Sequence, residues 1–186
     1  MKPPLRAVIF DFDDTLFDDA ACTRAGLAEL ARLHGVTHWT PQATFTRHAE
    51  IIDEISPRMF SGQLTGHTAR VERFSRLLAE WGIANPDGEA ATHTYRAAYT
   101  RAWTLIDGAA EVLGELRERG LRTAILTNYV QEVQLEKLRF FGLLDALDAV
   151  LCVEDLPAPK PDARAYHAAC AALDVTPAEA LMIGDS

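Results

Sequence analysis

Two aspartates one residue apart close a short apolar run: Ala7-Val8-Ile9-Phe10 leads directly into Asp11-Phe12-Asp13-Asp14-Thr15. Later apolar runs open onto groups of related chemistry. Ala124-Ile125-Leu126 ends in Thr127-Asn128, the segment from Leu147 to Val153 is followed by Lys160-Pro161, and Met182-Ile183 ends in Gly184-Asp185-Ser186. Carboxylates crowded at one point repel and cannot all stay ionised without a cation, so Asp11 and Asp185 together ask for a hard divalent ion with oxygen ligands. Magnesium suits that set, because it accepts two carboxylates, a backbone carbonyl, waters and a phosphate oxygen. Thr127 and the amides of the turn behind it have donors for phosphate oxygens, and Lys160 adds a point charge for the same group. Asp13 projects differently from Asp11 where the strand opens into a turn, so one carboxylate can attack while the other moves protons. Singly, each of these residues is an ordinary turn or cap residue; their order at consecutive strand ends is what gives them a joint meaning.

The elements that must position them follow from pattern. Short, largely apolar runs of four to seven residues predict strands buried on both faces of a parallel sheet: Ala7–Phe10, Arg122–Thr127, Leu147–Val153 and Ala180–Ile183. Between them lie helical stretches. The first carries Val112, Leu113 and Leu116 on one face and closes at Gly120; a second runs from about Gln131 to Phe141 and stops at Gly142. A third begins at Pro161 with Tyr166, Ala169, Cys170 and Leu173 on one stripe, and a short fourth has Thr176 and Glu179 spaced as a capping box. Strict alternation from Gly108 onward predicts right-handed βαβ units in a doubly wound α/β sheet, where ligands sit at the carboxyl ends of strands. Residues 17–103 interrupt this order and read as helices: Leu27, Leu30, Ala31 and His34 share a face, as do Phe45, Ala49 and Ile52, and Tyr95, Ala98, Tyr99 and Ala102. Thr40-Pro41 reads as a helix start, and Ser61-Gly62 and Asn85-Pro86-Asp87-Gly88 as turns. The organisation expected is a core of residues 1–16 and 104–186 with an inserted helical domain, 17–103.

Composition sets the class. Of 186 residues, 48% are apolar and 24% charged, which is ordinary for a folded globular chain. The formal charge of −9 would repel a phosphate backbone or an anionic membrane, so a nucleic-acid polymer is not the expected partner. No apolar run reaches the length of a spanning helix, and the N-terminus lacks a signal-peptide pattern, so no membrane partner is expected either. Cys22, Cys152 and Cys170 show neither a zinc spacing nor a disulfide framework, and a reducing cytoplasm is the expected location.

At these residues the sequence resembles the haloacid dehalogenase superfamily, specifically its phosphatase-rich subgroup I with a helical cap inserted after the first strand. The first motif of that family stands here as Val8-Ile9-Phe10-Asp11-Phe12-Asp13-Asp14-Thr15-Leu16, the second as Ala124-Ile125-Leu126-Thr127-Asn128, the third as Lys160-Pro161 and the fourth as Met182-Ile183-Gly184-Asp185-Ser186. The resemblance implies a Rossmann-like core and a magnesium-dependent phosphatase. Asp11 would attack phosphorus to give an aspartyl-phosphate, and Asp13 would protonate the leaving oxygen and then activate water. Thr127, Asn128 and Lys160 would hold the phosphoryl group, while Asp11, the Asp13 carbonyl and Asp185 would bind Mg2+. An acid at position 13 favours phosphoryl transfer over dehalogenation, since the dehalogenases of the family lack one there. The expected substrate is a small phosphomonoester, a nucleotide or sugar phosphate, and the expected state is a monomer or homodimer.

The family's fourth motif normally continues with another acid, a helix and a fifth strand. The chain is therefore expected to be truncated within that motif, with a catalytically impaired form as one alternative and a phosphomutase as another. A signalling receiver domain shares the clustered acids and the Lys-Pro, but it lacks a helical insert of this size. Substrate choice is expected to be a property of the insert, where Arg58, Gln63, His67, Arg70 and Arg73 are the polar candidates and a solvated helix face is the default for each.

Overall fold

A computed structural model describes residues 3–184, leaving aside the side chain of Phe60. The chain divides into two compact units, one of residues 1–19 and 104–186 and one of residues 20–103.

The first unit is built on four parallel strands, β1 (Ala7–Phe10), β2 (Arg122–Leu126), β3 (Ala149–Leu151) and β4 (Ala180–Ile183), in the order β3-β2-β1-β4. Every residue of β1 is at most 3% exposed, as a fully apolar run in the middle of a sheet requires. The chain steps outward from β1 to β2 and β3, then returns to the far side of β1 with β4. That reversal puts the switch point of the sheet between β1 and β4. Register aligns Phe10 with both Ile125 and Ile183, so the residues leaving these three strands emerge level with one another. On one face, Ala7 and Ile9 join Ala124, Leu126 and Leu151 beneath Ala165, Ala169, Cys170 and Leu173 of α7 (Ala163–Ala172). Two further helices of this unit, α5 (Ala109–Glu118) and α6 (Gln131–Phe140), bury Leu113 and Leu138 completely.

Three elements differ from the sequence reading. The helix expected at Pro161 starts at Ala163, because the Asp162 carboxylate accepts from the Arg164 amide at 2.9 Å and makes Asp162 the N-cap. The third strand keeps only Ala149–Leu151; Leu147, Asp148 and Cys152 are irregular, and 3-10 turns lie on either side at Leu144–Ala146 and Val153–Asp155. The expected short fourth helix is likewise a 3-10 turn, Pro177–Glu179, whose Glu179 carboxylate reaches back to the Thr176 amide at 2.9 Å.

The second unit holds α1 (Asp19–Leu33, beginning at the last residue of the first unit), α2 (Pro41–Phe60), α3 (Gly66–Glu80) and α4 (Gly88–Arg101). Thr40, Thr65 and Asp87 cap the last three by accepting from Ala43, Thr68 and Ala90 at 3.0–3.1 Å. Leu27, Leu30, Ile51, Ile55, Phe74, Leu77, Leu78, Trp81 and Tyr95 form its core. The fully buried stripe of α2 is Thr44, His48, Ile51 and Ile55; of the expected face, Phe45 packs half-buried against this core, Ile52 is half-buried and Ala49 is exposed, and His34 of α1 is exposed. Two polar residues occupy the buried stripe of α2, so an apolar-only periodicity selects the neighbouring face.

Candidate functional site

Asp11 follows the last residue of β1, and its amide donates to the Ile183 carbonyl at 2.8 Å, which pins it at the switch point. The residue is 7% exposed. Its Oδ1 accepts from the Phe12 amide at 2.7 Å and its Oδ2 lies 2.5 Å from Lys160 Nζ, so the side chain is oriented on both oxygens. Lys160 is held in turn by Asn128. The Lys160 amide donates to Asn128 Oδ1 at 2.7 Å, and Asn128 Nδ2 donates to the Lys160 carbonyl at 2.9 Å. This two-bond clasp joins the loop after β2 to the loop after β3, and it commits the Asn128 side chain to the backbone of the lysine.

The chain then turns sharply. The Phe12 carbonyl accepts from Leu16 and Phe17 at 2.9 Å, and Asp14 sits at φ 56°, a left-handed conformation that a short polar side chain tolerates. The turn sends Asp13 toward α6. Gln134 Nε2 donates to Asp13 Oδ2 at 2.7 Å and lies 3.2 Å from Thr127 Oγ1, bridging the acid to the hydroxyl at the end of β2. Lys137 Nζ lies 2.7 Å from Asp13 Oδ1 and 3.7 Å from Asp19. Burial pushes the Asp13 carboxyl above the ordinary carboxylate value, with Lys137 and then Gln134 pulling the other way. The Cys152 thiol is pushed up to about 12, by burial first and then by the charges of Asp155, Glu154 and Asp13, so it remains a thiol and not a nucleophile.

Four of the residues singled out in the sequence thus stand on two hydrogen-bond systems, Asp11 and Lys160 with Asn128 on one and Asp13 and Thr127 with Gln134 on the other, at the carboxyl ends of β1 and β2 and in the loop after β3. Asp185 lies outside the described residues. Gln134 and Lys137 were not anticipated. Their signal is the i, i+3 spacing that puts both on the side of α6 occupied by Leu138, where a lysine reads as solvated; here Lys137 is 2% exposed. In the second unit, Arg58 pairs with Glu72 at 2.7 Å and His67 with Glu89 at 3.2 Å on exposed faces, and Gln63 is exposed. Arg73 is half-buried.

Oxygen donors dominate the mouth of β1. Besides Asp11, the Asp13 carbonyl accepts from no backbone amide, and the Thr15 hydroxyl is buried without a hydrogen-bond partner, among the described residues. Those residues hold no group of three His, Cys, Asp or Glu side chains placed to enclose a metal. A carboxylate and a carbonyl fit a small hard ion that keeps most of its waters, and not a softer metal needing nitrogen or sulfur.

The family model for haloacid dehalogenase-like hydrolases matches residues 5–186. The chain belongs to that family. Its relatives include the ribulose-1,5-bisphosphate 5-phosphatase of Halopiger xanaduensis, 34% identical over 182 residues that cover 96% of this chain and 76% of that protein. The phosphoserine phosphatase of Thermus thermophilus is 31% identical over 206 residues, covering 98% of this chain and 81% of that one. Among solved structures, the Bacillus subtilis HAD hydrolase YfnB bound to magnesium superposes with a TM-score of 0.74 at 26% identity, covering 99% of this chain and 79% of that one. The Xanthobacter autotrophicus L-2-haloacid dehalogenase shares the fold, with a TM-score of 0.69 at 25% identity and coverage of 96% of this chain and 69% of that one. This hydrolase of the HAD family therefore has phosphatases among its relatives, and no helix among its described residues is long and apolar enough to cross a membrane.

Proposed function

We propose that this HAD-like hydrolase is a magnesium-dependent phosphatase of small phosphomonoesters. The observation that carries the reading is the setting of Asp13. It is an acid two residues beyond the oriented carboxylate of Asp11, held on both oxygens and pushed toward its protonated form by burial. Such a group serves a leaving alkoxide, which needs a proton, and has no task in displacement of a halide, which leaves as a stable anion. The phosphatase relatives support the same choice.

In this reading Asp11 Oδ attacks phosphorus in line while the bond to the ester oxygen breaks, and Asp13 delivers a proton to that oxygen. The product is an aspartyl-phosphate on Asp11 and a free alcohol. Asp13, now a base, takes a proton from water, which attacks phosphorus, releases inorganic phosphate and restores the Asp11 carboxylate. Lys160 and the Thr127 hydroxyl bear on the phosphoryl oxygens, and Asn128 acts chiefly by fixing the Lys160 loop. The residues assigned to magnesium are Asp11, the main-chain carbonyl of Asp13 and Asp185. When bound, the ion neutralises charge between two anions that otherwise repel. We assign residues 17–103 to a cap that governs which ester is admitted.

Free phosphate measured over nucleoside monophosphates, sugar phosphates, phosphoserine and phosphoglycolate, with magnesium and with chelator, tests the proposal. Magnesium-dependent release supports it. Isomerisation of a sugar phosphate without net release would replace it with a mutase.

A further inference from the structure

Gln134 is wholly buried on α6, and its amide group is used unevenly. Both hydrogens of Nε2 have acceptors, Asp13 Oδ2 at 2.7 Å and Thr127 Oγ1 at 3.2 Å, whereas Oε1 is buried with no hydrogen-bond partner among the described residues. A buried carbonyl left unmatched costs free energy that a methionine of similar length would avoid, so packing alone does not account for an amide here. What the amide supplies is two donors on one nitrogen, aimed at two different places, the turn after β1 and the end of β2. Every group involved belongs to the first unit.

Hydrogen-bond accounting at Thr127 shows what one of these donors does. A hydroxyl has one proton and two lone pairs. Thr127 Oγ1 receives the Tyr129 amide at 3.2 Å and Gln134 Nε2 at 3.2 Å, so N–H donors take both lone-pair directions and the proton points away from both. The hydroxyl is thereby fixed as a donor toward a further partner, which is the polarity that an anionic phosphoryl oxygen needs. At Asp13, Gln134 holds Oδ2 while Lys137 holds Oδ1 at 2.7 Å, so two residues one turn apart on α6 set the plane of the carboxyl group. The helix that carries them is anchored at its start. The Gln131 amide donates to the two Glu154 carboxylate oxygens at 3.2 and 3.1 Å, and Gln131 Nε2 donates to Asp155 at 3.3 Å, which ties α6 to the 3-10 turn after β3.

We infer that Gln134 is a positioning residue acting on two groups at once: it orients the acid Asp13 toward the leaving oxygen and fixes the Thr127 hydroxyl as a donor to the phosphoryl group. The inference rests on the phosphomonoester reading and goes beyond it, because it assigns a task to a residue inside a helix, outside every strand-end motif.

Leaving-group dependence tests the first link. In p-nitrophenyl phosphate the phenolate leaves with little help from an acid, whereas the alkoxide of an alkyl ester needs the proton. In Gln134→Met the kcat/KM ratio of the alkyl phosphomonoester that the wild type turns over fastest to p-nitrophenyl phosphate is expected to fall about tenfold or more. A merely structural glutamine would lower both esters together, and an unmoved ratio overturns this link. Should Gln134→Met not fold, Gln134→Glu, which keeps the shape and loses both donors, carries the same test.

Binding of inorganic phosphate, measured by calorimetry on the whole chain with magnesium present, tests the second link without turnover. Gln134→Met and Thr127→Val are each expected to weaken binding about threefold or more, and Gln134→Met to add nothing once Thr127 is Val. Independent, additive losses overturn the link to Thr127. A wild type silent on every ester that still shows this coupling sinks the phosphatase reading and leaves the role of Gln134 at Thr127 standing; a wild type that binds no phosphate overturns both.

Discussion

Lys137 and Asp13 form a partly buried ion pair at the mouth of the sheet: Nζ stands 2.7 Å from Oδ1 and 4.0 Å from the centroid of the Phe17 ring, and the lysine side chain is 2% exposed against 27% for the aspartate. Lysine is rarely buried so completely without a partner, and the pair fixes the carboxylate that the proposed reaction uses twice. Replacing Lys137 with Met keeps the stem and removes the charge. The expected result is a kcat about 10- to 100-fold lower with KM changed much less, because the acid loses its orientation and not the substrate its contacts. The loss of stability should be roughly 1–3 kcal/mol, the cost of a desolvated carboxylate without its partner, read from a denaturant midpoint. Unchanged kcat in a folded Lys137→Met protein would remove the lysine from the mechanism.

How far this site was legible in the sequence depends on where its members sit. Asp11, Asp13, Thr127 and Lys160 stand immediately after strands or in a short loop, where an apolar run points straight at them. Lys137 and Gln134 lie inside a helix, and their burial is decided by the turn at Asp14 that aims Asp13 at α6, a tertiary fact with no local signature. The inward face of α2 was missed for a related reason. Thr44, His48, Ile51 and Ile55 keep a helical period, but two of the four are polar and do not register as core. The cap at Asp162 displaced a helix start that Pro161 alone suggested.

Asp11 and Lys160 are coupled at 2.5 Å with both side chains nearly buried, so neither can be removed without exposing the other's charge to a poor environment. Asp11→Asn is expected to lower kcat by roughly 10³-fold or more, since the nucleophile is gone. Lys160→Met is expected to lower it as well, and the two losses should not add. In a double-mutant cycle the variant carrying both changes should be about as slow as Asp11→Asn alone. Additive losses would mean that Lys160 acts independently of the nucleophile.

Gly88 opens α4 where α3 passes closest. A Cβ built there would stand 2.3 Å from the Val71 carbonyl and 2.1 Å from Ser75 Oγ. The serine hydroxyl can rotate aside, but the carbonyl belongs to a helix backbone and cannot. Gly88→Ala is therefore expected to destabilise the protein by about 1–3 kcal/mol despite the better helix propensity of alanine, visible as a lower thermal midpoint. A midpoint at or above that of the wild type would show that α3 and α4 separate more easily than their packing indicates.

His48 predicts the acid behaviour of the fold. Its folded pKa of about 3 is depressed by burial below an unfolded value of about 6.5, so between those limits the unfolded chain binds a proton that the folded one refuses. The stability associated with the neutral ring is complete above pH 6.5 and is lost as pH falls toward 3, with a slope approaching 1.4 kcal/mol per pH unit. Between pH 7 and pH 5 this single group should remove about 2 kcal/mol. His48→Phe keeps an aromatic ring between Phe74 and Tyr95 while deleting the titration, so its stability should fall less steeply over that interval. Urea midpoints of the two proteins at half-unit steps of pH measure the difference. Parallel curves would mean that the ring is solvated enough in the native protein to take its proton there.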